Sequence, residues 1–220
     1  MPAAKGDCIQ CRLPERVCIC PLIPQVESSA CFWLITHDKE FDKPTNTGKL
    51  IQAAIPGTRL FNWSRTAPDE ELLALLEEPA WLPVLVFPAE YAVEAQSKAT
   101  SWRHHAGSDR NIAFIIIDAT WQQARKMYRQ SPWLHNLSLL SLQPEDPSIY
   151  SLRRNHQEQH LCTAEVAALA LGQLGENTNR QLMEALVQVY CDRYLWARKG
   201  QRKEENQRSL GILEQYQPVG

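Results

Sequence analysis

Ile112-Ala113-Phe114-Ile115-Ile116-Ile117-Asp118-Ala119-Thr120-Trp121 passes from an unbroken apolar run into an acid, a hydroxyl and an aromatic ring. A short apolar run rich in β-branched residues reads as a strand buried on both faces, which is how strands of parallel sheets look. Residues 122–129 follow with a helical pattern, so Asp118 to Trp121 form a strand-to-helix turn. Open α/β sheets bind ligands beyond the carboxyl ends of their strands, which makes this turn an address for chemistry and Asp118 its candidate catalytic residue. The structural alternative is that Asp118 or Thr120 only caps the following helix while Trp121 packs on the sheet.

Working outward, residues 31–36 read as a second buried strand, and the polar residues 37–46, with Pro44, as a loop. Thr47-Gly48 opens a helix with apolar residues at Leu50, Ile51, Ala54 and Ile55, and Pro56-Gly57 stops it. Residues 59–63 form a short strand, 68–78 a charged amphipathic helix, 84–87 a buried strand ended by Pro88, and 91–101 a weak helix. Residues 137–142 form one more strand, and helices over 163–174 and from 179 to about 203 complete the pattern. Alternating strands and helices predict an α/β protein with a mainly parallel sheet and helices on both faces. Gly-x-Gly-x-x-Gly and the P-loop pattern are both missing, which disfavours dinucleotides and nucleoside triphosphates as ligands.

A chain of 220 residues with 44% hydrophobic content builds a full core. No window has the apolar length of a membrane helix, and residues 1–11 are polar and cysteine-bearing, unlike a signal peptide, so a cytoplasmic protein is expected. The net charge of −2 does not advertise a polyanion partner, so any nucleic-acid contact must rest on local clusters of the 23 Lys and Arg. Such clusters follow the acid turn (Arg125, Lys126, Arg129), sit at Arg153 and Arg154 beside His156 and His160, and crowd the C-terminal region. Of seven cysteines, Cys8, Cys11, Cys18 and Cys20 share one short segment with Cys-x2-Cys-x6-Cys-x-Cys spacing. Without a secretion signal that spacing points to thiolates around a tetrahedral Zn2+, structural because four thiolates leave no open coordination position. Free or redox-active thiols are the alternative. The expected organisation is a knuckle over residues 1–28 and a catalytic domain over 29–220.

Taken together, the cysteine cluster, His37-x-x-Glu40, Asn46-Thr47-Gly48-Lys49-Leu50, Asp118-Ala119-Thr120-Trp121 and Leu161-Cys162-Thr163-Ala164-Glu165 resemble the DTW-domain family in order and spacing. The resemblance covers nearly the whole chain. It implies a SPOUT-like sheet with a trefoil knot that cradles S-adenosylmethionine. It also implies transfer of the 3-amino-3-carboxypropyl group to the ring imide nitrogen of a tRNA uridine, with release of methylthioadenosine. Asp118 is then the general base that takes the imide proton. Thr47, Gly48, Phe87, Thr120, Trp121, Leu161 and Thr163 are implied cofactor contacts, with N-capping the alternative for Thr47 and Thr163. Lys49, Arg125, Lys126, Arg153 and Arg154 are the candidate tRNA phosphate contacts.

Two departures bear on substrate contacts. Asp38 and Lys43 stand where relatives often carry Pro and Arg, and Arg153-Arg154-Asn155-His156 lacks the proline that commonly follows that segment. His37 and Glu40 are read as holding their loop, without a chemical role. A SPOUT-type RNA methyltransferase and a zinc-knuckle RNA-binding protein without catalysis are the competing readings. A monomer is favoured.

Overall fold

The computed structural model describes residues 6–97, 102, 109–143, 147–152, 161–199 and 205–216. These residues fall into two compact units. One comprises Met1–Glu27, Asp42–Pro56 and Glu145–Gly220, the other Ser28–Phe41 and Gly57–Pro144. The first unit thus joins the cysteine-bearing segment to 42–56 and the C-terminal third.

The second unit holds the sheet. Its strands are β1 (Ala30–Thr36), β2 (Arg59–Asn62), β3 (Trp81–Val86), β4 (Asn111–Asp118) and β5 (Ser138–Leu140), in the order β2-β1-β4-β3-β5. Every pairing is parallel. The expected parallel α/β sheet is present, with β4 at its centre, as the apolar run of that strand requires. β3 begins three residues earlier than its sequence pattern suggests because it runs through Pro83. The ladder to β5 starts only at Val84, so Pro83 occupies a stretch with one open edge, where a missing N–H is tolerated.

On one face of the sheet Trp33, Ile35, Leu85, Ile115 and Ile117 pack with Leu72 and Leu75 of α3 (Glu70–Glu77) and with Ala124, Met127 and Tyr128 of α5 (Trp121–Arg129). Phe32, Leu34, Val84 and Phe114 of the opposite face are also fully buried, and Trp102 meets Phe114 edge-on at 5.7 Å. The loop expected over 37–46 contains a short helix, α1 (Asp38–Phe41); of the weak helix expected over 91–101, the described part holds the end of a tight turn over Ala89–Tyr91 and α4 (Glu94–Ser97), and 98–101 lie outside the described residues.

The first unit contains α2 (Gly48–Ala54), α6 (Thr163–Gln173), α7 (Asn177–Lys199) and α8 (Gln207–Gln215). α6 ends in a Schellman motif: Gly175, at φ +80°, donates to the Gly172 carbonyl at 3.0 Å and Glu176 to that of Leu171 at 3.2 Å. α8 went unseen in the sequence. It is capped by Asn206, whose Oδ1 accepts the Ser209 amide at 3.0 Å, and is anchored by Leu213, which is fully buried. No helix among the described residues is long and apolar enough to cross a membrane.

Candidate functional site

β1 connects outward to β2 on one side, whereas β4 connects past β3 to β5 on the other. β1 and β4 are therefore the neighbours at which the winding reverses, the position where open α/β sheets bind ligands beyond the strand ends. The register pairs Thr36 with Asp118 at that position. Thr36 Oγ1 donates to Asp118 Oδ2 at 3.2 Å, and the His37 amide donates to the Asp118 carbonyl at 3.1 Å. Both side chains are buried, at 2% and 3% exposure.

The capping alternative separates cleanly. Thr120, not Asp118, caps α5: its Oγ1 accepts the Gln123 amide at 3.4 Å, and its own amide donates to Gln123 Oε1 at 3.0 Å. Asp118 stands at the switch point, two residues before that cap. Strand alternation places it on the face of Phe114 and Ile116, whereas Ala119 and Trp121 pack against the cluster on the other face. Thus Asp118 and Trp121, neighbours in sequence, serve opposite sides of the sheet edge.

Trp121 belongs to an aromatic block. Its ring lies 5.8 Å from Phe87 and meets Tyr91 edge-on at 5.1 Å, while Phe87 stacks on Tyr128 at 4.5 Å. Arg125, Lys126 and Arg129 are exposed on α5, and the Arg125 guanidinium carbon lies 4.3 Å from the centre of the Tyr91 ring. His37, given no chemical role from sequence, stacks on Trp63 at 5.8 Å. Its Nδ1 accepts the Lys39 amide at 3.2 Å, which assigns the proton of the neutral ring to Nε2.

In the first unit the candidate cofactor residues have internal partners. Asn46 Oδ1 accepts the Gly48 amide at 2.7 Å, and Thr47 Oγ1 accepts the Ala164 amide of α6 at 3.2 Å. Thr47 therefore caps α6 across the fold and not its own helix, and Thr163 is the first residue of α6, behind Cys162. Leu161 directly precedes that cap. The ammonium of Lys49 donates to Tyr190 Oη at 2.9 Å and to the Pro44 carbonyl, and burial brings it down to about 7. Arg153 and Arg154 lie outside the described residues.

Glu165, only 4% exposed, was missed as an organising residue. Its carboxylate accepts the Ser148 hydroxyl at 2.8 and 2.9 Å, the Ile149 amide at 2.7 Å and the Cys162 amide at 2.7 Å. It ties the segment entering residue 153 to the start of α6. The S/T-x-x-E capping pattern was a usable signal, hidden because Cys162 stands where Ser or Thr is usual. Glu165→Ala strands the buried Cys162 amide and frees the part-buried Ser148 and Ile149 donors, and is expected to lower unfolding free energy by about 2–4 kcal/mol in urea titrations. A loss below about 1 kcal/mol would mean water replaces the carboxylate.

The four cysteines converge. Their Sγ atoms all lie within 4.8 Å of one another, with Cys8–Cys20 at 3.5 Å and Cys11–Cys18 at 3.7 Å. Tetrahedral zinc–thiolate geometry calls for sulfur–sulfur edges of about 3.8 Å, so the donor set fits that ion. Arg12, at φ 61°, turns the chain between the first pair and the returning strand, where the Cys8 amide donates to the Leu13 carbonyl at 2.7 Å. Burial opposes a thiolate at Cys8, but amides of Cys11 and Gln10 and the neighbouring thiols outweigh it and bring Cys8 down to about 7. Burial, with hydrogen bonds to Cys18 and Cys8, pushes Cys20 well up. From α7, Arg193 Nη1 donates to the Cys18 carbonyl at 2.7 Å, and Arg198 pairs with Asp7.

A parallel sheet with a buried carboxylate at its switch point, in a chain that also brings four cysteines together where a metal ion could be held, defines a parallel α/β protein. The DTW domain profile matches residues 5–195, and the chain belongs to that family. It is 28% identical over 193 residues to tRNA-uridine aminocarboxypropyltransferase 2 of Drosophila melanogaster, covering 84% of this chain and 72% of the relative. Proteins of the same name from Macaca fascicularis and Mus musculus are 26% and 25% identical over 182 residues, covering 79% of this chain and 58% of each relative. The chain thus spans just over half the length of those two. No solved structure matches it.

Proposed function

We propose that this protein transfers the 3-amino-3-carboxypropyl group from S-adenosylmethionine to the ring imide nitrogen of a uridine in tRNA, releasing methylthioadenosine. The observation that carries the reading is the DTW match over nearly the whole chain, with relatives that bear that activity in their names. In this reading Asp118 accepts the imide proton. The freed nitrogen lone pair forms the new C–N bond while the C–S bond of the donor breaks, and that electron pair neutralises the sulfonium. The donor arrives already activated, so the protein's work is deprotonation and alignment.

Thr47, Gly48, Phe87, Thr120, Trp121, Leu161 and Thr163 are the proposed donor contacts. A donor carboxylate at Gly48 must replace Asn46 Oδ1 on the amide. Arg125 and Lys126 are the best-supported tRNA contacts because both are exposed. Lys49 has a weaker claim, since its ammonium is shared between Tyr190 and Pro44. Arg153 and Arg154 keep theirs by sequence alone. The Cys8, Cys11, Cys18 and Cys20 cluster holds a structural zinc, and the family's trefoil knot is part of the proposed fold.

The test is the nucleoside by-product formed from S-adenosylmethionine and unmodified tRNA. tRNA-dependent methylthioadenosine supports the proposal. S-adenosylhomocysteine would replace it with methyl transfer, and neither product, with tRNA still bound, with a binding protein.

Thr36 is a positioning residue for Asp118. Thr36→Val removes a donor that favours the charged carboxylate, so the acidic limb of the pH–rate profile should move to higher pH, with Thr36→Ser restoring it. A limb that stays in place while the melting temperature falls would leave Thr36 a purely structural role.

A further inference from the structure

We propose that Arg125, seated on Tyr91, forms with Lys126 and Arg129 a nucleotide subsite that stacks one base of the bound RNA strand and holds the adjoining phosphates. The inference deepens the reading of tRNA as substrate and rests on it.

The charge on α5 is not neutralised by any acid among the described residues. The helix carries no acid, and its three cations make no ion pair or hydrogen bond to protein among the described residues. Four arginines elsewhere are paired, Arg59 with Glu71, Arg180 with Glu184, Arg193 with Glu205 and Arg198 with Asp7, so what sets α5 apart is three unpaired cations on one short helix. An uncompensated cationic stripe beside the carboxyl ends of β3 and β4 suits a polyanion and no small neutral ligand.

Tyr91 adds what a phosphate site alone does not need. Tyr91 is 39% exposed, yet its segment is tightly held. Val93 donates its amide to Tyr128 Oη at 2.9 Å, Tyr128 donates to Gln96 Oε1 at 2.6 Å, and Gln96 Nε2 reaches the Leu134 and Leu137 carbonyls at 2.8 and 3.0 Å. The Ala89 amide donates to Ser141 Oγ at 3.1 Å. Trp121, edge-on at 5.1 Å, keeps the ring from folding inward. An exposed ring on a rigid support has lost its ordering entropy before binding, as a stacking platform requires. The Arg125 guanidinium, 4.3 Å over that ring, extends the platform by a second plane on which a base can stack. Glu90 and Glu94 flank Tyr91 on its own segment, so phosphates belong towards Lys126 and Arg129 and the base towards Tyr91.

The experiment uses the full-length protein and fluorescence anisotropy with two probes, an unmodified tRNA transcript and a single-stranded oligouridylate. Tyr91→Ala and Arg125→Lys should each raise Kd for both probes about five- to tenfold, and Tyr91→Phe should stay within about twofold. Lys126→Ala should flatten the salt dependence by about one phosphate contact. Arg125→Lys is decisive, because a plain phosphate contact survives it and a stacked guanidinium does not. Wild-type binding by Arg125→Lys, or Tyr91→Phe as impaired as Tyr91→Ala, overturns the subsite. A wild-type protein that shows the expected binding pattern but releases no methylthioadenosine refutes the transfer reaction and supports the subsite. Absence of RNA binding by the wild type overturns both.

Discussion

Asp118→Asn is expected to lower the rate of aminocarboxypropyl transfer by at least about 100-fold while leaving tRNA affinity within about threefold. A positioned general base contributes roughly 100- to 10,000-fold, and the amide cannot accept the proton. The substitution suits the site because it removes basicity while changing little else. The amide oxygen can still accept from Thr36 Oγ1, and the Asp118 carbonyl keeps the His37 amide, since that bond uses the main chain. Asp118→Ala is the contrasting variant. It abandons the Thr36 hydroxyl in a buried place at a cost of about 1–3 kcal/mol, so its loss of activity would mix chemistry with stability. Comparing kcat, melting temperature and tRNA Kd for the two separates the roles. Asp118→Asn that turns over at more than half the wild-type rate would show that the buried carboxylate only closes the switch point. A rate loss matched by a lower melting temperature would argue the same.

The legible parts of this molecule were those written in local pattern. β4 was readable because a central parallel strand is apolar on both faces, and the convergence of the four cysteines was readable because their spacing suits one tetrahedral centre. Long-range hydrogen bonding was opaque. Thr47 looked like the cap of its own helix, yet its hydroxyl serves Ala164, 117 residues away. Glu165 was read only as part of the Leu161–Glu165 motif, yet its carboxylate holds the segment at Ser148 and Ile149 as well. Alternation within β4 was in the sequence, but its consequence for Asp118 and Trp121 emerged only once the strand order fixed which faces were which. β3 was cut short because Pro83 reads as a breaker until its open edge is known, and α8 was obscured by the charged stretch before it.

Metal removal should have the second large effect, and it should be local first. A competing chelator is expected to release one zinc per chain and to erase hydrogen-exchange protection over residues 6–27 while the sheet unit keeps its own. Four thiolates within 4.8 Å would repel one another unless a cation neutralised them, whereas neutral thiols could only pair, Cys8 with Cys20 and Cys11 with Cys18. Structural zinc contributes roughly 10–16 kcal/mol of apparent binding energy in isolated zinc-finger peptides, far more than Leu13, Val17 and Ile19 can supply by burial at about 2 kcal/mol each. The loss should then pass into α7, because Arg193 holds the Cys18 carbonyl and Glu205 at once, and Arg198 holds Asp7. Protection around Arg193 and in α8 is therefore expected to fall next, with β1 and β4 unchanged. Cys20→Ser should reproduce the pattern without chelator. If the purified protein carries no zinc and the chelator alters neither protection nor melting, the cluster is a set of packed free thiols, and the convergence of its four sulfurs has another cause.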